Sequence, residues 1–184
     1  ENSGVRIFSL KTRNLTQHLL KRIYSFCEYK GQRVVGSETG LYLFDGDSFS
    51  PYTLNQPFEY RIMDMYVKDS VLVLVTVNDG VFFVKEHTIL KSVSIKNGLS
   101  TNNCFKALPY QQKVIIATSN GINMYGTKTD SVQVIFECDG LASNAVNDIL
   151  IEHDTLYAAT ENGLSIIAFK DIEAPKPFKL FYKP

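Results

Sequence analysis

The chain has no tryptophan and no net charge: its 184 residues carry 19 Lys and Arg against 19 Asp and Glu, with only three Cys and three His. Each shortage excludes something. Balanced charge without a basic stripe removes the main driving force for holding phosphate backbones, so nucleic acid is not an expected partner. Cys27, Cys104 and Cys138 are odd in number and lack metal-ligand spacing. They read as small buried or half-buried thiols. His18, His87 and His153 have no His-x-x-x-His or Cys-x-x-Cys companion, which leaves metal binding and acid-base work without support, and no cofactor is expected. Ser37, Ser119 and Ser143 sit in no nucleophile-elbow context. No run approaches the roughly 20 apolar residues of a membrane span. No signal peptide is recognisable, and the start at Glu1 reads as a processed or cloned end, which leaves room for a signal or a preceding domain before it. Helical periodicity is nearly missing; only Leu15 to Arg22 has helix-like spacing, and it is short.

What the chain does have is one motif written four times. A β-rich run, a short polar loop ending in glycine and a new apolar run recur around Gly40-Leu41-Tyr42, Gly80-Val81-Phe82, Gly121-Ile122-Asn123 and Gly163-Leu164-Ser165, spaced 40, 41 and 42 residues apart. The last two copies align over their whole length. Gly98-Leu99-Ser100-Thr101-Asn102-Asn103 leads to Val114-Ile115-Ile116-Ala117-Thr118 and Ser119-Asn120-Gly121-Ile122; Gly140-Leu141-Ala142-Ser143-Asn144-Ala145 leads to Leu156-Tyr157-Ala158-Ala159-Thr160 and Glu161-Asn162-Gly163-Leu164. Copies one and two keep the glycine pivot but lose the Gly-Leu-x-x-Asn opening. A period of about 40 to 45 residues with several strands per unit is the signature of a β-propeller blade.

Each copy parses into four strands. The second is a near-continuous apolar run, Val71 to Thr76 or Val114 to Thr118, as expected for a strand covered on both faces. In copy three a turn is expected from Pro109 to Gln112, and in copy four from Glu152 to Asp154. More polar fourth strands are expected at Phe49 to Leu54, Thr88 to Ile95 and Ser131 to Glu137. The fold class is therefore all-β: a propeller of four blade repeats of 40–42 residues, read as part of a larger propeller. Residues 1–20 form the outer strand of a preceding or closing blade, with Val5 to Leu10 as that strand, plus a lead-in segment. Residues 21–172 form the blades, and residues 173–184 a linker.

The repeat resembles the two-component regulator propeller repeat, whose pattern runs Gly-Leu-Pro-Ser-Asn, a strand, an acidic turn, an apolar strand and Gly-Thr-x-x-Gly-Leu. Gly140 to Asn144 with Ala159 to Leu164, and Gly98 to Asn102 with Ala117 to Ile122, carry the likeness; proline, tryptophan and the glycine before threonine are missing. Ala174 to Leu180 resembles the junction into the triple-tyrosine β-sandwich of those sensors. The resemblance implies a non-catalytic, extracytoplasmic (periplasmic) sensor segment of a bacterial two-component receptor anchored in the inner membrane. A scaffold for protein assembly and a polysaccharide-acting propeller enzyme are the alternatives.

In a propeller, the loop into the innermost strand and the loop between strands two and three emerge at one end. Asn78, Asp79, Asn102, Asn103, Asn120, Asn144, Glu161 and Asn162 belong to these loops. Their amides and carboxylates suit an oligosaccharide or another polar small ligand, although turn chemistry alone also explains asparagine before glycine. A homodimer or the remaining blades of the propeller are the expected protein partners.

Overall fold

Alternation and turn chemistry produce seventeen strands in the computed structural model, which describes residues 4–18 and 22–173. Strands β1 (Val5–Phe8) and β2 (Leu15–His18) make a separate hairpin. Sheet 1 comprises β3 (Ile23–Tyr29), β4 (Gln32–Ser37), β5 (Gly40–Phe44) and β6 (Phe49–Pro51); sheet 2 comprises β7 (Ile62–Lys68), β8 (Val71–Thr76), β9 (Gly80–Lys85) and β10 (Thr88–Val93). Sheet 3 comprises β11 (Cys104–Tyr110), β12 (Lys113–Thr118), β13 (Gly121–Gly126) and β14 (Ser131–Ile135). Sheet 4 has three strands, β15 (Val146–Glu152), β16 (Thr155–Thr160) and β17 (Gly163–Ala168), and runs into a short helix α1 (Phe169–Glu173). All pairings are antiparallel between sequence neighbours.

The first strand of each sheet is innermost, because β3 packs on β7, β7 on β11 and β11 on β15. Between sheets lie three apolar clusters. In β12, Ile115 and Ile116 are both fully buried, but Ile115 joins the cluster shared with sheet 4 and Ile116 the one shared with sheet 2. Opposite faces of one strand thus hold two neighbours, which is why the sequence shows a continuous apolar run rather than alternation. A β-bulge recurs near the start of every innermost strand, between Ile23 and Ser25, Ile62 and Asp64, Cys104 and Lys106, and Val146 and Asp148. Such a bulge increases local twist, and its repetition keeps each blade turned equally against the next.

The glycine pivots have a shared chemistry. Ser37, Thr76, Thr118 and Thr160 donate their hydroxyls to the carbonyls of Gly40, Gly80, Gly121 and Gly163 at 2.9, 2.7, 2.8 and 2.8 Å. Gly80 has φ +82°, and a Cβ there would collide with the Val93 carbonyl oxygen, so both backbone conformation and space require glycine.

Several expectations need correction. Leu15–His18 is a strand, not helical, because it pairs residue by residue with Val5–Phe8; residues 19–21 lie outside the described part. Strand β1 accordingly closes on β2 and does not pair with the fourth repeat. Pro109 lies inside β11 rather than in a turn, and so does Glu152 in β15; proline is tolerated because β11 is an edge strand of its sheet. The outer strands end earlier than expected, at Pro51, Val93 and Ile135. Cys104 is buried and Cys27 half-buried, but Cys138 is exposed, and all three are free thiols. The expected linker at 174–184 lies outside the described residues.

Candidate functional site

The two loop classes do meet at one end of the sheets. Each crossing loop is clamped between the turns of two successive blades: the carbonyl of Asn102 accepts from the Gly80 amide at 3.1 Å and that of Asn103 from the Ser119 amide at 3.1 Å. One repeat later, the carbonyl of Asn144 accepts from the Gly121 amide at 2.6 Å and that of Ala145 from the Glu161 amide at 3.0 Å. The side chains close the same loops. Asn102 Oδ1 accepts from the Ile95 amide at 2.9 Å, and Asn144 Oδ1 from the Glu137 amide at 2.8 Å. Gly98 and Gly140, at φ +102° and +116°, end the intervening 3₁₀ turns, and Leu99 and Leu141 are buried. The Gly-Leu-x-x-Asn motif is thus a blade-to-blade staple, with the Asn102 and Asn144 amide oxygens already engaged.

The other candidates differ. Asn120 lies near the Ser100 carbonyl, its Nδ2 at 3.5 Å, and is exposed. Asn78 is an exposed turn residue at φ +80°. Asp79 beside it is half-buried, and desolvation raises its carboxyl pKa above the ordinary range. Glu161 and Asn162 are exposed on the corresponding turn of sheet 4. Among the described residues, the side chains of Asn78, Asp79, Glu161 and Asn162 make no hydrogen bond, so their polar atoms are available to a ligand.

At the same end, over sheet 1, lies a cleft of about 570 Å³ lined by Thr39, Leu41, Tyr42 and the crossing segment 51–59. This crossing, between β6 and β7, lacks the 3₁₀ turn of the later two; Asn55 ties it to sheet 2, its backbone amide donating to the His87 carbonyl at 2.6 Å and its Oδ1 accepting from the Ile89 amide at 3.2 Å. Phe58 packs edge-on against Tyr60 and Phe82, with centroids 4.8 and 5.0 Å apart, which adds apolar contact to that anchor. Around the cleft stand Thr39, Tyr42, Thr53, Asn55 and Gln56, with Glu59 as its one carboxylate. The Tyr42 hydroxyl lies 3.3 Å from Thr39 Oγ1. Sequence reasoning missed this cleft, and the signal was the loss of Gly-Leu-x-x-Asn in the earlier copies.

A second surface is the outer face of sheet 4. Leu150, Leu164 and Ile166 are 59, 60 and 64% exposed. The residues one repeat earlier are Leu108, Ile122 and Met124, all packed in the cluster that sheet 3 shares with sheet 4. Sheet 4 therefore presents the apolar face with which each earlier sheet holds its successor.

Radial antiparallel sheets of three or four strands, with the first strand innermost, define this chain as a β-propeller, folded here as an arc. Its first and last innermost strands, β3 and β15, lack the packing that joins consecutive ones. Solved structures agree on the fold. Two crystal structures of the extracellular domain of BT4673 from B. thetaiotaomicron, described in one as a one-component and in the other as a hybrid two-component system, match at TM-scores of 0.70 and 0.69. Identity is 17% in both; 91% of this chain is covered, and the chain spans 29 and 28% of theirs. The WD40 β-propeller domain of Doa1 matches at 0.65 with 15% identity, over 92% of this chain and 59% of that one. The computationally designed Ika4 protein matches at 0.61 with 14% identity, over 80% of this chain and 91% of its own. No protein-family profile matches the sequence, and neither does any characterised protein.

Proposed function

We propose that this chain is the recognition segment of an extracytoplasmic sensor, binding a polar ligand such as an oligosaccharide at the loop end without converting it. The observation that carries this reading is the cleft over sheet 1. It surrounds a ligand-sized space with hydroxyls and amides, which recognise polyols through directed hydrogen bonds. Hydrolysis of a glycosidic bond ordinarily uses a pair of carboxylates, and the cleft lining contributes one, Glu59. The sensor context rests on the repeat motifs together with the fold shared with the BT4673 extracellular domain.

In this reading the arc is part of a larger propeller. The apolar face of sheet 4 is covered by the first two strands of a further blade, as sheets 2, 3 and 4 cover the same face of the sheets before them. A thermal-shift and calorimetric screen of oligosaccharides against the chain and a Tyr42→Phe, Gln56→Ala, Glu59→Gln variant tests the ligand site. Binding that the variant loses supports the cleft; binding that survives it but is lost on Asn78→Ala, Asp79→Ala moves the site along the loop end. Absence of saturable binding by any polyol refutes the reading.

A further inference from the structure

The end of the sheets opposite the cleft carries a second, chemically different cavity. At each seam between sheets, the last residue of one innermost strand faces the residue just after the third strand of the next sheet. Between sheets 3 and 4 these are Tyr110 and Phe169, stacked with centroids 3.6 Å apart. Between sheets 1 and 2, Tyr29 fills the position, 2% exposed, accepting from the Glu86 amide at 2.7 Å and donating to the Ser70 carbonyl at 3.2 Å. Between sheets 2 and 3 the same two positions hold Lys68 and Thr127. The equivalence is fixed by backbone bonding: Thr127 donates its amide to the Gln112 carbonyl at 2.9 Å, as Phe169 does to Asp154 at 3.0 Å. Neither residue supplies a ring, and a cavity of about 300 Å³ stands there, floored by Val71, Val73, Phe83 and Val114. The depression at the sheet 3–4 seam differs in kind, since the Tyr110 and Phe169 rings form its wall.

Charge selects the occupant. Lys68, Lys113 and Lys128 line the cavity, with Asp69 as the single acid among its lining residues. The Lys68 ammonium is placed at the rim by donating to the Gln111 carbonyl at 2.6 Å. The seam is also incompletely satisfied, because the hydroxyl of Tyr66, another lining residue, is buried without a hydrogen-bond partner among the described residues. We propose that the seam between sheets 2 and 3 is a binding site for a flat aromatic anion, whose ring takes the place that Phe169 and Tyr110 fill one repeat later and whose negative group meets the lysines. This site is independent of the loop-end cleft and lies across the sheets from it.

The probe is naphthalene-2-carboxylate, titrated into the chain by calorimetry and by amide NMR, beside uncharged 2-naphthalenemethanol and non-aromatic cyclohexanecarboxylate. The carboxylate is expected to bind saturably, at least tenfold tighter than either analogue, and to perturb amides of 66–73 and 111–128. Thr127→Phe installs the ring found one repeat later; it is expected to abolish binding and raise the melting temperature. Lys128→Gln is expected to remove most of the preference for the carboxylate over the alcohol while leaving the melting temperature nearly unchanged. Should Thr127→Phe fail to fold, Val71→Phe plugs the same floor from sheet 2. No saturable binding, equal binding of acid and alcohol, or binding undiminished in a folded plugged variant overturns the proposal.

Discussion

Ile122 and Leu164 occupy the same place in successive repeats, one residue after the pivot glycine, yet Ile122 is fully buried and Leu164 is 60% exposed. Truncating each to alanine removes three carbons, so the difference between them isolates the blade that covers one and not the other. At about 0.8 kcal/mol per buried methylene, the transfer loss at Ile122 is about 2.4 kcal/mol, and the residual cavity brings the expected cost to about 3 to 4 kcal/mol. Leu164, with roughly two fifths of its surface covered and no cavity to leave, should lose about 1 kcal/mol. Urea unfolding followed by far-ultraviolet circular dichroism measures both, with hydrogen exchange showing whether β13 and β17 open separately, as stacked repeats allow. Equal losses at the two positions would refute the assignment of the sheet 4 face as uncovered, and a loss under 1 kcal/mol at Ile122 would refute the packing of sheet 3 on sheet 4.

Three further outcomes follow from the same structure. Gly80→Ala forces φ +82° on a residue with a Cβ aimed at the Val93 carbonyl, while Gly163→Ala, at φ +132°, meets nothing within 4 Å; the first should lower the urea midpoint clearly more than the second. Burial pushes the Cys104 thiol up to about 12, and burial followed by the charge of Asp64 pushes Cys27 up to about 11, so both thiolates are scarce at neutral pH. Iodoacetamide with mass mapping should therefore label exposed Cys138 first and Cys104 only on unfolding; early labelling of Cys104 would contradict the core assignment. At concentrations above those of the unfolding experiments, where Leu164 stays uncovered, the isolated chain should self-associate through the face of sheet 4, and Leu164→Glu with Ile166→Lys should abolish that in analytical ultracentrifugation. Association equal in both proteins would place the contact elsewhere.

The blades were legible in the sequence because three independent signals coincide at each pivot: an apolar run, a hydroxyl residue and a glycine. Their spacing follows from strand geometry, and hydrogen bonds such as Thr118 to Gly121 give the coincidence its cause. The ends were harder. Leu15 to His18 is short and exposed, so no periodicity declares its pairing, which depends on Val5–Phe8 folding back on it. Phe169 reads as one more apolar residue until its stack on Tyr110 is seen, since a seam is made by residues that the sequence separates by a whole repeat. The site was legible only in part. Asn102 and Asn144 stand out by repetition, and repetition reflects the staple each blade needs. The cleft over sheet 1 is built by the copy that departs from the pattern, and a departure carries no spacing to recognise.

Recognition without conversion leaves the bound molecule intact, and its fate can be followed. A polyol captured in the loop-end screen, held with the chain at neutral pH for a day and released by denaturation, is analysed by mass spectrometry beside a protein-free control. One species of unchanged mass at stoichiometric yield is expected. Fragments that accumulate with the intact chain, and fail to accumulate with Glu59→Gln, would contradict it and make the cleft a catalytic centre.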